Sequence, residues 1–308
     1  MRRFLNSECI VTCAGPETAR PCDNGLVSAY LVSEAYLVPD PYNHGAWLVR
    51  KDEADQSWVD IAHPEHLEFD YMVRIGWLID DWATAAGITL DGRLRVVHVG
   101  GAGMSLARWL AVLRPTSAQI VLEPDAGLTA AVRLALPLPP HSGIKVRATD
   151  GRAGIQAMTD GFAQVVILDA FDHGQVPASL VSAEFFQDIR RVLTPGGLLA
   201  VNLVEANPHD WSRRTVASVA GVFGHTCLVA EQSGFKGHRV TNLVIGASDA
   251  PLPIDALTRR AAGAALPCRL LAGDGLTRWL AGARPFTDAD AMPSPPRLKG
   301  ELTWYSSG

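Results

Sequence analysis

The sequence predicts an α/β protein built on a mostly parallel β-sheet, and three observations carry that prediction. Apolar strand-like runs alternate with helically spaced segments between residues 63 and 250, as in a parallel sheet with helices on both faces. The stretch from Leu94 to Asp125 (LRVVHVGGAGMSLARWLAVLRPTSAQIVLEPD) reads as strand, glycine turn, helix, strand and terminal acids. Acids recur at the carboxyl ends of successive strands, the edge at which open α/β sheets bind ligands.

Composition narrows the class further. A chain of 308 residues holds one large domain, or one with a smaller companion. With 48% hydrophobic and 19% charged residues it has an ordinary globular composition. Its net charge of −5 disfavours nucleic acid as a partner. The apolar runs are too short for a membrane span, and the start MRRF followed by LNSECIVTCAGPE is too short and polar for a signal peptide. A cytoplasmic location is expected. The five cysteines (Cys9, Cys13, Cys22, Cys227, Cys268) are odd in number and fit no zinc spacing, and the histidines form no HExxH set, so free thiols and no metal are expected.

Residues 1–25 lack periodicity and read as a flexible N-terminal arm. Residues 26–62 read as a small β-domain. Its strands are Ala29–Val32, Ala35–Val38, Ala46–Arg50 and Ser57–Ile61, separated by turns such as PDPYNHG and KDEADQ. A catalytic domain is expected over 63–250. His63-Pro64 is expected to open a helix with Glu65 and Glu68 in its first turn and Leu67, Tyr71, Ile75, Leu78 and Trp82 along its apolar stripe. Leu94–Val99 is β-branched and free of proline, as a buried parallel strand requires. Gly100, Gly101 and Gly103 allow close approach of a ligand to the backbone. Leu106, Trp109, Leu110 and Leu113 mark the next helix, which Pro115 and Thr116 stop.

Further strands are expected at Gln119–Leu122, Ile144–Ala148, Ala163–Leu168 and Leu198–Val204. Helices are expected after Asp125, over Ser179–Leu193 and over Asp210–Phe223. TPGG reads as a turn, and Thr226–Glu231 with Val240–Ala247 as an antiparallel ribbon. A final helix and two-strand ribbon give the pattern of the Rossmann-like class I methyltransferase fold, with a mostly parallel seven-stranded sheet. Residues 251–308 read as one or two helices and a Pro-rich tail.

Glu123, Asp125, Asp150, Asp169 and Asp172 fall at or just after the ends of the second, third and fourth strands of this series. One such acid alone could simply cap a turn or helix. The succession favours a cationic or multi-donor ligand, because clustered carboxylates raise one another's pKa. A sulfonium nucleoside fits: Glu123 would accept two hydrogen bonds from the ribose diol and Asp150 one from the adenine amino group. Asp169 and Asp172 would face the reacting end and take a proton from an attacking amine.

The motifs VVHVGGAGMSLARWL, VLEPD, RATDGR, VVILDAFDHGQVPASLVSAEFF and LTPGGLLAVNL together resemble the polyamine aminopropyltransferases, the spermidine synthase family, and most closely its actinobacterial spermidine synthase-like members. DQSWVDIAHPEHLEFDYM and RPFTDADAMP extend the resemblance over Leu37 to Met292. It implies a transferase of polyamine biosynthesis that forms homodimers. The donor would be decarboxylated S-adenosylmethionine and the acceptor a small-molecule amine such as putrescine, with no metal. Carried over by motif, Asp169 matches the catalytic aspartate and Asp172 an acceptor-binding acid. Glu123 matches the ribose ligand, Asp150 the adenine ligand, Gln56 a donor-side glutamine and Tyr71 the tyrosine lining the acceptor channel.

Two positions depart from the family pattern. In its GGGDGG turn the aspartate holds the donor's amine, and here Gly103 takes that position. The Gln or His that follows the tyrosine is Met72. Loss of the charge at 103 is expected to relax selection against ordinary S-adenosylmethionine. Two alternatives therefore remain open: a small-molecule methyltransferase using S-adenosylmethionine on the same scaffold, or a non-catalytic nucleoside-binding homologue.

Overall fold

The computed structural model describes residues 36–52, 54–235 and 240–296. The arm read over 1–25, the strand read at Ala29–Val32, and Cys9, Cys13 and Cys22 lie outside them, as does part of QSGFKGH.

The first described elements are β1 (Leu37–Pro39), β2 (Ala46–Lys51) and β3 (Ala54–Asp60), an antiparallel meander. Its corner is tied by Asp40, whose carboxylate accepts from the backbone N–H of Tyr42 (2.7 Å) and Asn43 (2.9 Å) and from the indole N–H of Trp58 (2.5 Å). Val49 and Val59 turn one face of this small sheet onto Met104, Ala107 and Val121.

The next helix, α1, spans Asp70–Ala85. It starts later than the expected His63-Pro64. The acids expected in its first turn pair locally instead, Glu68 with His66 at 2.9 Å and Glu65 with His63 at 3.5 Å. Asp60 accepts from the N–H of Ala62 and His63, which holds this stretch as a turn. Of the expected apolar stripe, Tyr71, Ile75, Leu78 and Trp82 are buried on the helix, while Leu67 precedes it and is half-buried.

Then follow β4 (Arg95–Val99), α2 (Ser105–Leu113), β5 (Ala118–Leu122), α3 (Ala126–Ala135), β6 (Ile144–Arg147), α4 (Gly151–Gln156) and β7 (Ala163–Leu168). The helix expected over Ser179–Leu193 is divided into a 3-10 turn at Ala178–Leu180 and α5 (Ala183–Val192). The division falls at Ser182, whose hydroxyl accepts from the Phe185 N–H at the start of α5. The series continues with β8 (Leu193–Glu205), α6 (Asp210–Ala220), β9 (His225–Glu231) and β10 (Thr241–Ser248). In β8 the pairing with β7 jumps from Ala163–Leu193 to Val165–Leu198, so the TPGG turn bulges out of the strand.

Among the described residues the large sheet, whose last strand in the chain is β11 (Cys268–Ala272), has the order β11-β9-β10-β8-β7-β4-β5-β6. Strands β8, β7, β4, β5 and β6 are mutually parallel, and β9 and β10 form the expected antiparallel ribbon. The eighth strand, β11 (Cys268–Ala272), adds to the edge at β9 and lies between α7 (Ile254–Ala262) and α8 (Gly273–Leu280). The sequence reading gave seven strands and only helix here. Five residues on an edge leave too short an apolar alternation to announce a strand.

Both faces of the sheet are covered. Val96, Ile167 and Ala200 pack under α1 with Ile75, Leu78 and Ile79, while Val97, Leu168 and Val201 pack with Phe185, Phe186 and Ile189 of α5. Each fully buried side chain of this size contributes roughly 1.5–3 kcal/mol. Residues 283–294 strap across α5 and α6, anchored by the fully buried Phe286 and by a two-pronged pair between Arg152 and Asp288 at 2.7 and 2.6 Å. No helix among the described residues is long and apolar enough to cross a membrane.

Replacing Asp40 with Ala would leave the buried indole N–H of Trp58 without this acceptor and open the meander's corner. Urea unfolding should show a loss of about 2 kcal/mol. A loss under about 0.5 kcal/mol would mean that another group takes over the indole.

Candidate active site

From β4 the chain steps outward to β5 and β6, then returns to place β7 on the other side of β4. The crevice outside the carboxyl ends of β4 and β7 is therefore the topological switch point of the sheet, where such folds bind ligands. Gly100 ends β4 there with φ of +95°, and a Cβ at this position would stand 2.1 Å from the carbonyl oxygen of Asp169. Only glycine permits that approach. Gly101 is confined too, though less closely, since its Cβ would meet the Val121 side chain at 2.7 Å.

Glu123, just past β5, knits the turn together. One carboxylate oxygen accepts from the N–H of Gly101 (3.0 Å) and Ala102 (3.1 Å), and the other from the N–H of Asp125 (3.0 Å). Three of roughly four lone-pair sites are thereby taken. Two bonds to a ribose diol are therefore more than this geometry offers; about one site remains. Asp125 and Asp150 cap α3 and α4 through the N–H of Leu128 (2.9 Å) and Ala153 (3.0 Å). Capping and cavity lining are thus combined in both residues.

A cavity of about 500 Å³ opens over this edge. Of the residues singled out from sequence, Gln56, Gly100, Gly101, Glu123, Asp150, Asp169 and Asp172 all line it. Asp172 sits in the loop after β7, bridged to Gln175 through the backbone, with its carboxylate largely exposed. Lys51, at the end of β2, also reaches the cavity, where its ammonium meets Asp125 at 2.9 Å. The hydrogen bond to Asp125 raises the Lys51 pKa, so the pair is ionised at neutral pH.

Behind the glycine turn lies a smaller chamber of about 40 Å³, shared by Gln56, Met72, His98, Ser105 and Asp169. His98 is the satisfied interior histidine expected from sequence, bonded to Gln119 at 2.8 Å. Burial pushes its pKa down to about 4, so it is neutral near pH 7. The Gln119 amide donates to Ala107 O, which assigns the proton of that pair to His98 Nε2.

Asp169 is held through both of its carboxylate oxygens. The buried Tyr71 hydroxyl donates to its Oδ2 at 3.0 Å and the Asn202 amide to its Oδ1 at 2.9 Å. The Asn202 oxygen in turn accepts from Asn242 at 3.0 Å. Lys51, Asn202 and Asn242 escaped the sequence reading. An asparagine inside a strand carries no motif, though AVNLV and TNLVI each break an apolar run with an amide where only a partnered one is tolerated.

Gly103 corrects an expectation. It lines neither cavity, and its N–H donates to the Ser57 hydroxyl at 3.1 Å. A Cβ there would meet Ser57 Cβ and Val59 Cγ2 at 2.8 Å and Val49 Cγ2 at 2.9 Å. The residue packs the turn against the small sheet.

No known family model matches the chain. A polyamine aminopropyltransferase of Neisseria meningitidis is 28% identical over 200 residues, which is 61% of this chain and 73% of that protein. A probable polyamine aminopropyl transferase of Bifidobacterium longum is 34% identical over 84 residues, 27% of this chain and 19% of that one. Among solved structures, a probable spermidine synthase of Corynebacterium glutamicum superposes with a TM-score of 0.76 at 26% identity, covering 85% of this chain and 95% of that chain. The chain is similar to spermidine synthases. Spermidine synthase of Thermotoga maritima, at TM-score 0.52 and 14% identity over 73% of this chain and 72% of that one, shares the fold. The resemblance read from the sequence motifs holds, and this chain has both a large, mostly parallel sheet and a small antiparallel one.

Gly103→Asp should lower Tm by roughly 4–8 °C, the equivalent of about 2 kcal/mol of overpacking. An unchanged Tm would show that the small sheet yields to admit the side chain.

Proposed function

We propose that the chain is an aminopropyltransferase that uses decarboxylated S-adenosylmethionine and a di- or polyamine such as putrescine. The observation that carries this reading is Asp169 at the switch point, oriented by the buried Tyr71 hydroxyl and sharing one cavity with Glu123, Asp150 and Asp172. The similarity to aminopropyltransferases supports it, and favours it over methyl transfer or a non-catalytic role.

In this reading Glu123 accepts from a ribose hydroxyl through its remaining lone-pair site, and Asp150 Oδ2 accepts from the adenine amino group. Gln56 faces the donor from β3. The acceptor amine lies against Asp169 and Tyr71, with its far ammonium toward Asp172. The amine nitrogen attacks the propyl carbon bonded to sulfur. The C–N bond forms, the C–S bond breaks with its electron pair passing to sulfur, and methylthioadenosine leaves. The proton shed by nitrogen passes to Asp169. Much of the rate comes from alignment of nitrogen, carbon and sulfur, which the Tyr71 hydroxyl enforces on Asp169.

Donor choice falls to the acids that do line the cavity. Asp169 and Asp172 would repel the carboxylate of ordinary S-adenosylmethionine, so the decarboxylated donor is preferred without a charge at residue 103. The family resemblance further supports a cytoplasmic homodimer as the working form. It also supports the division at residues 25, 62 and 250 into arm, β-domain, catalytic domain and C-terminal segment.

The test is incubation of the protein with decarboxylated S-adenosylmethionine and putrescine, with methylthioadenosine and spermidine followed by mass spectrometry. Asp169→Asn should lose at least about 100-fold in kcat, because it keeps the shape and removes the proton acceptor. Donor affinity measured by calorimetry should stay within about threefold, a change below 1 kcal/mol. Unchanged turnover in that variant would overturn the assignment.

A further inference from the structure

Asp169, Asn202 and Asn242 stand side by side on the face of the sheet that α1 covers. Val165, Ile167 and Asp169 alternate on β7 and its end, Leu198, Ala200 and Asn202 on β8, and Asn242 and Val244 on β10. Val244 pairs with Asn202, which sets Asn242 one pleat further on. Neither asparagine lines the 500 Å³ cavity or the inner chamber.

The direction of this hydrogen-bond chain is fixed from one end. A carboxylate only accepts, so Asn202 must turn Nδ2 toward Asp169 Oδ1 (2.9 Å). That leaves Asn202 Oδ1 facing β10, where a donor is required, and Asn242 Nδ2 supplies it at 3.0 Å. With an acceptor at 242, two oxygens would face each other. Rotation of the Asn202 amide would relieve that, but it would turn an oxygen onto Asp169.

We propose that Asn242 is a positioning residue for Asp169, acting through Asn202. Its amide locks Asn202 with an N–H toward the carboxylate. The carboxylate plane is then clamped between Asn202 on Oδ1 and the Tyr71 hydroxyl on Oδ2, anionic and aimed at the acceptor amine. The inference rests on the reading of Asp169 as proton acceptor, and it adds a residue from a different strand that touches no substrate.

The other ionisable groups on the two cavities that Asp169 borders are Lys51, Glu123, Asp125, Asp150, Asp172 and the neutral His98. A substitution at 242 leaves all of them in place, so a difference between variants reports the amide chain. Asn242 is half-buried and tolerates a polar replacement, whereas Asn202 is 1% exposed.

The experiment compares the wild-type chain with Asn242→Asp, Asn242→Gln and Asn202→Leu. The acid limb of kcat/KM is measured, and the Asp169 carboxyl is titrated by 13C NMR, its signal identified by its absence in Asp169→Asn. In Asn242→Asp both should move up by about one pH unit, because the carboxylate loses a donor and gains a negative neighbour. Activity is then lost as pH falls through the raised midpoint and recovers above it. Donor KM should not change. Asn242→Gln, which keeps the donor, should stay near wild type. Asn202→Leu should move the midpoint in the same direction.

A merely structural role would lower Tm and leave limb and midpoint in place. Unmoved values in folded Asn242→Asp and Asn202→Leu would overturn the inference. If the wild type transfers no aminopropyl group and the Asp169 midpoint still moves, the proposed reaction fails while the positioning chain stands.

Discussion

At the centre of this structure two strand ends come closer than any side chain allows. Gly100, at φ of +95°, lies so near the Asp169 backbone that a Cβ would sit 2.1 Å from its carbonyl oxygen. This approach sets the end of β4 beside the end of β7, at the point where the strand order reverses. It brings the glycine turn and Asp169 into one crevice. The turn that follows is held by a carboxylate: Glu123 gathers the N–H groups of Gly101, Ala102 and Asp125. A backbone loop that would otherwise be mobile becomes a fixed wall of the cavity.

Polar side chains on the buried α1 face run across the sheet in two groups. Gln119 and His98 satisfy one another and the Ala107 carbonyl. Tyr71, Asp169, Asn202 and Asn242 form the second group, drawn from a helix and three strands. Buried polar groups are tolerated only when their hydrogen bonds are made. Each member therefore limits the orientation of the next, and a carboxylate at the cavity inherits its geometry from an amide two strands away.

The small sheet is more than a cover. Ser57 receives the Gly103 N–H, Ser105 donates to the Trp58 carbonyl at 2.6 Å, and Lys51 pairs with Asp125. Val49 and Val59 fill the space a side chain at 103 would need. The same sheet contributes Gln56 and Lys51 to the cavity. Closing the front of the site and building its wall are thus one packing event.

The sequence by itself determined the alternation of strand and helix, the glycine turn, the acids at strand ends and the final ribbon, because periodicity, glycine and short acidic loops are local signals. Gly100, Gly101, Glu123, Asp150, Asp169 and Asp172 could be named as one site, since the parallel topology sends successive strand ends to a common edge, whereas Gln56 of the small sheet was named only through the family resemblance. The start of α1 was misplaced because Glu65 and Glu68 found local histidine partners, a choice between two short-range contacts that composition does not rank. Tertiary structure alone decided which way each backbone position faces. Gly103 looked like a ligand position and is a packing position, while Asn202 and Asn242 looked like interruptions and form a chain to Asp169. Those distinctions depend on hydrogen bonds between residues 33, 40 and 46 positions apart, and no local pattern along the chain encodes them.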